Sequence, residues 1–274
     1  MKTVYKRILV TTDFSTHAQY AVERAIHFAQ FNQAELTCLH VIDPSGAEED
    51  SEQELIKKAE HTWATSLERI ANQYPVQFVI QKGRVPDQII RYISDYDMDL
   101  VFIGAHGTYY LNDYILGTNA EAVVKLSSIP VQLIRKKPSF TYQRILVSTD
   151  FSEVSKKAVE TAYQAYPHAE FLLLHVADVW YGKKADNDMI QSLHKKLIDF
   201  LRTCDVDESR FAAKFIGGYP ADDISKFAAD WGAQLVVLGT CGHSLLHYIL
   251  IGRVSERLIR INTTDMLITP PDKR

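Results

Sequence analysis

Residues 5–15 read YKRILVTTDFS and residues 142–152 read YQRILVSTDFS. Nine of these eleven positions are identical, at an offset of 137 residues. A self-match of this kind decides the architecture first, because a fixed period marks a chain built from repeated units. Further matches follow in the same order. Leu39-His40-Val41 recurs as Leu174-His175-Val176, each with an aspartate two residues on (Asp43, Asp178). Gly83 and Pro86 return as Gly217 and Pro220, and LVFIGAHG at residues 100–107 returns as LVVLGTCG at 235–242. The offset drifts only between 134 and 137, so the halves differ by small loop changes. The short polar stretch Lys136-Lys137-Pro138-Ser139 divides them. One domain is expected over residues 1–138 and a second over 139–274.

Within each half the hydrophobic pattern alternates between strand and helix. In the first half, Arg7 to Thr11 is a β-branched apolar run, followed by Ala18, Ala21, Val22, Ala25 and Ala29 at helical spacing. Strands are predicted at Glu35–Ile42, Val76–Gln81, Leu100–Gly104 and Val131–Ile134. Helices are predicted at Gln53–Asn72, at Pro86–Tyr96 with proline in the first turn, and at Tyr114–Ser127. Continuous apolar strands separated by helices indicate a parallel sheet covered on both faces. With right-handed crossovers this becomes a doubly wound sheet. The fold class is α/β: two five-stranded, parallel-sheet, Rossmann-like domains in tandem.

Composition narrows the function classes. The 274 residues are 46% hydrophobic and 23% charged, with 30 basic against 34 acidic residues and a net charge of −4. No broad cationic face for nucleic acid is implied, and the charge is even along the chain. Three cysteines (Cys38, Cys204, Cys241) are too few and too scattered for a disulfide framework or a zinc site, and fit a reducing compartment. The start of the chain does not read as a signal peptide, and no stretch approaches the roughly 18 apolar residues of a membrane span. A cytoplasmic protein that binds neither membrane nor nucleic acid is expected.

In a doubly wound sheet, ligands bind beyond the carboxyl ends of the strands, where the strand order reverses. If the chain winds outward through strands 1 to 3 and returns for 4 and 5, the crevice lies between strands 1 and 4. The first ends in Thr12-Asp13 and the second runs into GAHGTYYLNDYILGTN, residues 104–119. Gly104, Gly107 and Gly117 are separated by two and then nine residues, and Thr118 follows. A helix opening at Gly117-Thr118-Asn119 offers backbone N–H groups and a positive dipole end, which suit a triphosphate. The plainer reading is three turn glycines and a helix cap.

The G-x2-G-x9-G-[ST] spacing, together with the TDFS and LHVID strings, resembles the ATP-binding subgroup of the universal stress protein family. The likeness covers the whole chain, as in tandem-domain members. It implies that the adenine sits against backbone at Val41, and that Asp13, preceded by Thr12, lies by the ribose and phosphates. It further implies that Gly104, Gly107, Gly117 and Thr118 hold the phosphates, often with a divalent metal such as Mg²⁺. Asn119 stands where the family usually has valine, and its backbone amide remains available. In the second half Thr149, Asp150 and Val176 are retained, and Gly239, Gly242 and Gly252 keep the spacing. There Arg253 replaces the hydroxyl residue, which leaves triphosphate binding open. Its guanidinium either folds into the crevice and occupies the phosphate volume, or extends outward and contacts a phosphate.

Other signals are weaker. Neither a P-loop nor a G-x-G-x-x-G fingerprint occurs. His40 and His175 end apolar strands and read as hydrogen-bonded structural histidines. His106 is carried as a candidate phosphate contact, although an exposed loop position is the plainer reading for it and for His243. No set of residues at metal-ligand spacing is evident. The acidic run Glu48 to Glu54 favours a helix N-terminus. Cys241 suggests a redox-sensitive thiol only if exposed, and Tyr109-Tyr110 either cover a ligand or pack on their loop. Strand 5 of each half is a short apolar edge (Val131–Ile134, Met266–Thr269). The resemblance implies that the halves pack there as a pseudo-dimer and that whole chains pair as a homodimer. The expected function is a stress-related, ATP-binding regulatory protein. The alternatives are a slow Mg²⁺-dependent ATPase acting through Asp13, or an interaction scaffold with vestigial pockets.

Overall fold

The run Ile8-Leu9-Val10 is fully buried and forms the middle of the first strand, β1 (Arg7–Thr12). The computed structural model describes residues 5–43, 51–67, 70, 74–106, 116–139, 141–178, 187–240 and 251–272. The chain divides into two units, Met1–Thr141 and Tyr142–Arg274.

In the first unit β1 is followed by α1 (Thr16–Asn32), β2 (Glu35–Ile42), α2 (Glu52–Thr62), β3 (Val76–Lys82), α3 (Val85–Asp95), β4 (Leu100–Gly104), α4 (Thr118–Leu126) and β5 (Val131–Ile134). The strand order is β3-β2-β1-β4-β5, and every neighbouring pair is parallel. The second unit has β6 (Arg144–Ser148), α5 (Glu153–Ala165), β7 (Glu170–Asp178), α6 (Asn187–Arg202), β8 (Phe211–Gly218), α7 (Pro220–Trp231), β9 (Leu235–Gly239), α8 (Arg253–Ile261) and β10 (Asp265–Thr269). Its order, β8-β7-β6-β9-β10, is the same winding. Both units are therefore doubly wound parallel sheets. Among the described residues no helix is long and apolar enough to cross a membrane.

Local chemistry fixes the helix ends. Ser15 caps α1, its hydroxyl accepting from the Ala18 N–H at 3.2 Å, and Ser152 caps α5 in the same way. The alanine-rich stripe Ala18, Ala21, Val22, Ala25 and Ala29 is buried, so α1 lies close against the sheet. Ser51 and Glu54 form a capping box at the start of α2, where the acidic run anticipates a helix N-terminus. Residues 48–50 of that run lie outside the described residues.

Two helices depart from the sequence reading. The α-helical stretch of α2 stops at Thr62, Trp63–Leu67 form a π-helical turn and Ile70 is again helical, while residues 68–69 and 71–73, where the predicted end of this helix falls, lie outside the described residues. There the Thr62 and Thr65 hydroxyls donate to the carbonyls of Lys58 and His61, at 2.7 and 2.8 Å, loosening the helical ladder. Trp63 stacks on Phe78 of β3, with ring centroids 4.4 Å apart. The fourth helix begins at Thr118, because the Gly117 N–H is drawn to the Ala105 carbonyl at 2.8 Å and Gly117 is extended. Residues 107–115, including Gly107 and Tyr109-Tyr110, lie outside the described residues.

The core centres on β1 and β4. Leu100, Val101 and Phe102 are fully buried, and Phe102 meets Phe28 of α1 at 5.4 Å. The amino ends of these strands are tied by Asp99, whose carboxylate accepts from the N–H groups of Lys6 and Arg7 at 2.7 and 2.8 Å. Gln234 does the same for Gln143 and Arg144 in the second unit. Cys38 and Cys204 are buried, and burial pushes the Cys204 thiol up to about 11. Cys241 lies outside the described residues.

Gly104 has a packing role at the end of β4. A Cβ there would stand 2.8 Å from the His17 carbonyl carbon and 2.9 Å from the Ala18 nitrogen, both backbone of α1. At Gly239 the nearest atom is a side-chain methyl of Val154, at 2.7 Å, with Val154 backbone no nearer than 3.2 Å. Gly104→Ala should therefore lower stability by about 1–3 kcal/mol, and Gly239→Ala by less. Urea unfolding of the full-length variants checks the ranking.

Candidate functional site

The turn after β1 carries the first candidate residues. Thr12 Oγ1 accepts from the Phe14 N–H at 3.0 Å, and Asp13 Oδ1 accepts from the Ser15 N–H at 3.0 Å. Phe14 has φ of 63°, and its counterpart Phe151 has φ of 67°. A bulky residue in this region costs about 1–3 kcal/mol and persists only where surroundings hold it. Here His40 does the holding. Its Nδ1–H donates to the Thr12 carbonyl at 2.9 Å, and its ring lies 4.6 Å from that of Phe14. His175 repeats both contacts with Thr149 and Phe151, at 2.7 and 4.4 Å. The two histidines are hydrogen-bonded structural residues, as the sequence suggests.

At the carboxyl end of the first sheet lies a cavity of about 570 Å³. Of the candidates, Thr12, Asp13, Val41, Gly104, His106, Gly117, Thr118 and Asn119 line it. Gly107 lies outside the described residues. The rest of the lining is largely apolar: Leu39, Val85, Ile89 and Ile103 with the two alanines Ala18 and Ala120. The sequence reading did not assign these residues. The alternation Leu39, Val41 along β2 is the one signal that could have pointed to part of the wall.

The first turn of α4 borders the cavity. Its N-cap, Gly117, supplies no side-chain cap, so the helix start presents backbone N–H groups and a positive dipole end. Gly117 has φ −62° and ψ 140°, values any L-residue adopts. The backbone does not demand glycine here, whereas close approach of a ligand would.

His106 departs from the plainer expectation of an exposed loop residue: it is 4% exposed. Its backbone carbonyl accepts from the Ser15 hydroxyl at 3.4 Å, and its Nε2 lies 3.4 Å from Nη1 of Arg135, itself buried just beyond β5. A cation thus sits behind the cavity wall. The strand register makes Pro270 the counterpart of Arg135, since Gly104 pairs with Ile134 and Gly239 with Thr269.

The second unit holds a smaller cavity of about 320 Å³, lined by Thr149, Asp150, Val176, Gly239, Gly252 and Arg253, with His175 also reaching it. Gly242 and His243 lie outside the described residues. Arg253 heads α8, is exposed to solvent and borders the cavity. Among the described residues of either unit, no group of three or more His, Cys, Asp or Glu side chains could hold a metal ion.

Known proteins agree with this architecture. A sequence model of the Universal stress protein family matches residues 4–135 and again residues 141–270. Universal stress protein MJ0577 of Methanocaldococcus jannaschii is 28% identical over 162 residues, covering 51% of this chain and 100% of that protein. The Universal stress protein E homolog of Haemophilus influenzae is 25% identical over 308 aligned residues, covering 98% of this chain and 99% of that protein. A crystal structure of a universal stress protein from Archaeoglobus fulgidus shares the fold, with a TM-score of 0.73 at 18% identity, covering 98% of this chain and 99% of that one.

Burial holds both His40 and His175 below the ordinary histidine value of 6.5, against the opposing pull of their carbonyl hydrogen bonds and of Asp13 and Asp150. The unfolded chain then binds more protons than the folded one just below pH 6.5, so folding stability rises with pH through that window. Stability contributed by the neutral rings is present above pH 6.5 and is lost as pH falls through the folded-state values. Urea midpoints measured from pH 8 to 5 should be level and then fall. The fall should be shallower in His40→Phe/His175→Phe.

Proposed function

The chain belongs to the universal stress protein family through both of its halves, and on that premise we propose that it is a regulatory protein that binds ATP chiefly in its first unit. The observation that carries this reading is the 570 Å³ cavity, which gathers Asp13, Val41 and the adjacent pair Gly117-Thr118 from three separate segments. That volume is in the range of small-molecule and cofactor sites. Its lining offers both kinds of surface that an adenine nucleotide requires. Leu39, Val85 and Ile89 supply an apolar wall for a base, and the uncapped start of α4 supplies N–H donors for phosphate. The adenine would lie against Val41, with Asp13 by the ribose. Gly104, His106, Gly117, Thr118 and Asn119 would line the phosphate end.

A Mg²⁺ ion accompanying the nucleotide would take its protein ligands from Asp13 or the Thr118 hydroxyl, since no residue cluster among those described is built to hold an ion alone. Such an ion would offset phosphate charge near the Asp13 carboxylate. The buried Arg135 behind His106 adds positive potential to the same end of the cavity.

Three differences favour the first unit over the second. The second cavity is smaller, at 320 against 570 Å³. Arg253 stands in place of the Thr118 hydroxyl, and the buried cation of the first unit has proline as its counterpart. Losing the hydroxyl contact alone costs about 1–3 kcal/mol, roughly a 5- to 150-fold weakening.

Calorimetric titration of the full-length protein with ATP and Mg²⁺ tests the reading. One strong site per chain is expected, with a second emerging in Arg253→Ser. Gly117→Val, whose backbone angles a valine tolerates, should abolish binding with little change in urea midpoint. Two equivalent wild-type sites would contradict the asymmetry, and unchanged affinity in folded Gly117→Val would remove the start of α4 from the site.

A further inference from the structure

His40 occupies a place from which it can govern the cavity without touching a ligand. Residues alternate along a strand, so Leu39 and Val41 face the cavity and line it, while His40 between them points to the other side of the sheet. From there it grips the turn that presents Asp13. The ring Nδ1–H holds the Thr12 carbonyl at 2.9 Å, and the ring face lies against Phe14 at 4.6 Å. The residues on both sides of Asp13 are thus held by one side chain. Thr12 Oγ1 closes the turn from within by accepting the Phe14 N–H at 3.0 Å. Phe14 rests in addition on Phe78, at 6.4 Å.

We infer that His40 is a positioning residue for nucleotide binding: it clamps the Thr12–Phe14 turn in its left-handed conformation and so holds Asp13 in the cavity. This rests on the nucleotide reading of the first unit. The left-handed φ of Phe14, 63°, is one a bulky residue leaves when its supports are removed. On relaxing, the turn would carry the Asp13 carboxylate with it. The second unit repeats the hydrogen bonds and the ring contact, although His175, unlike His40, also borders its own cavity. His175 holds the Thr149 carbonyl at 2.7 Å and lies 4.4 Å from Phe151, Thr149 Oγ1 accepts the Phe151 N–H at 2.9 Å, and Asp150 Oδ1 accepts the Ser152 N–H at 3.1 Å. The recurrence comes although the preceding residue differs, Thr11 in one unit and Ser148 in the other.

Two substitutions separate the ring from its donor. His40→Phe keeps an aromatic face and loses the N–H. His40→Asn keeps an amide N–H near the position of Nδ1 and loses the face. In the full-length protein, His40→Phe should weaken ATP binding about 3- to 10-fold, the range expected for one lost hydrogen bond. His40→Asn should recover most of that loss and tests the clamp independently if the phenylalanine variant folds poorly. In an Asp13→Asn background His40→Phe should add less than about a twofold loss, because its effect passes through the residue already changed. Exchange of the Phe14 amide proton, followed by NMR without ligand, should be faster in His40→Phe than in wild type. Wild-type affinity in His40→Phe, an equal loss in both backgrounds, or unaltered Phe14 exchange would each overturn the role. A wild-type protein that fails to bind ATP would instead remove the nucleotide reading, and this role with it.

Discussion

Each unit depends on the unequal pairing of its central strand. β1 pairs with β2 along its full length, from Arg7↔Glu35 to Thr12↔His40, whereas its pairs with β4 stop at Val10↔Phe102. Beyond Val10 the two central strands part, and Thr11 and Thr12 border an opening. β6 repeats this, paired with β7 as far as Ser148↔Leu174 and with β9 only to Val147↔Val237. The cavity is therefore a consequence of topology: winding reverses between these strands, and the loops leaving them diverge. The close seating of α1 on Gly104 closes the floor beneath the opening.

On this shared frame the units differ in charge and space. The first has a buried guanidinium behind its cavity and neutral hydrogen-bonding groups at the helix start. The second has its cation at the mouth, on Arg253, and less room within. A duplicated chain that keeps the scaffold in both copies while changing the lining of one has separated what builds a crevice from what fills it. Turn, histidine clamp and glycine seat are common to the copies. The residue that opens the last helix, Thr118 against Arg253, is not.

Much of this was legible in the sequence. The strands Glu35–Ile42, Leu100–Gly104 and Val131–Ile134 are bounded as read, because apolar runs flanked by polar residues leave little choice. The repeat gave the tandem arrangement, and the reversal rule gave the end of the sheet on which to look. What escaped depends on contacts between distant segments. The helix α2 gives way at Trp63 as that side chain finds Phe78 on another strand. His106 is buried because α1 and Arg135 surround it, and nothing within GAHG announces either. Gly104 reads as a residue for a ligand to approach, and its fit against the backbone of α1 is a second demand that the sequence does not show. The left-handed Phe14 has no local signature, since its support comes from a histidine 26 residues away in sequence.

The placement of β1 also bears on how the chain comes into being. It is synthesised before the other strands of its sheet, yet it ends in the middle of that sheet, and the bond from Lys6 to Asp99 spans 93 residues. At about 5–20 residues per second, roughly 5–20 s pass before β4 exists to pair with it. During that interval the fully buried Ile8, Leu9 and Val10 of the finished protein have at most one neighbouring strand. Synthesis of the second unit repeats the delay with Ile145, Leu146 and Val147 waiting for β9. An open apolar edge is the kind of surface on which nascent chains associate wrongly. The topology that leaves a folded unit with a crevice thus leaves each newborn unit with a period of exposure, once per copy of the repeat.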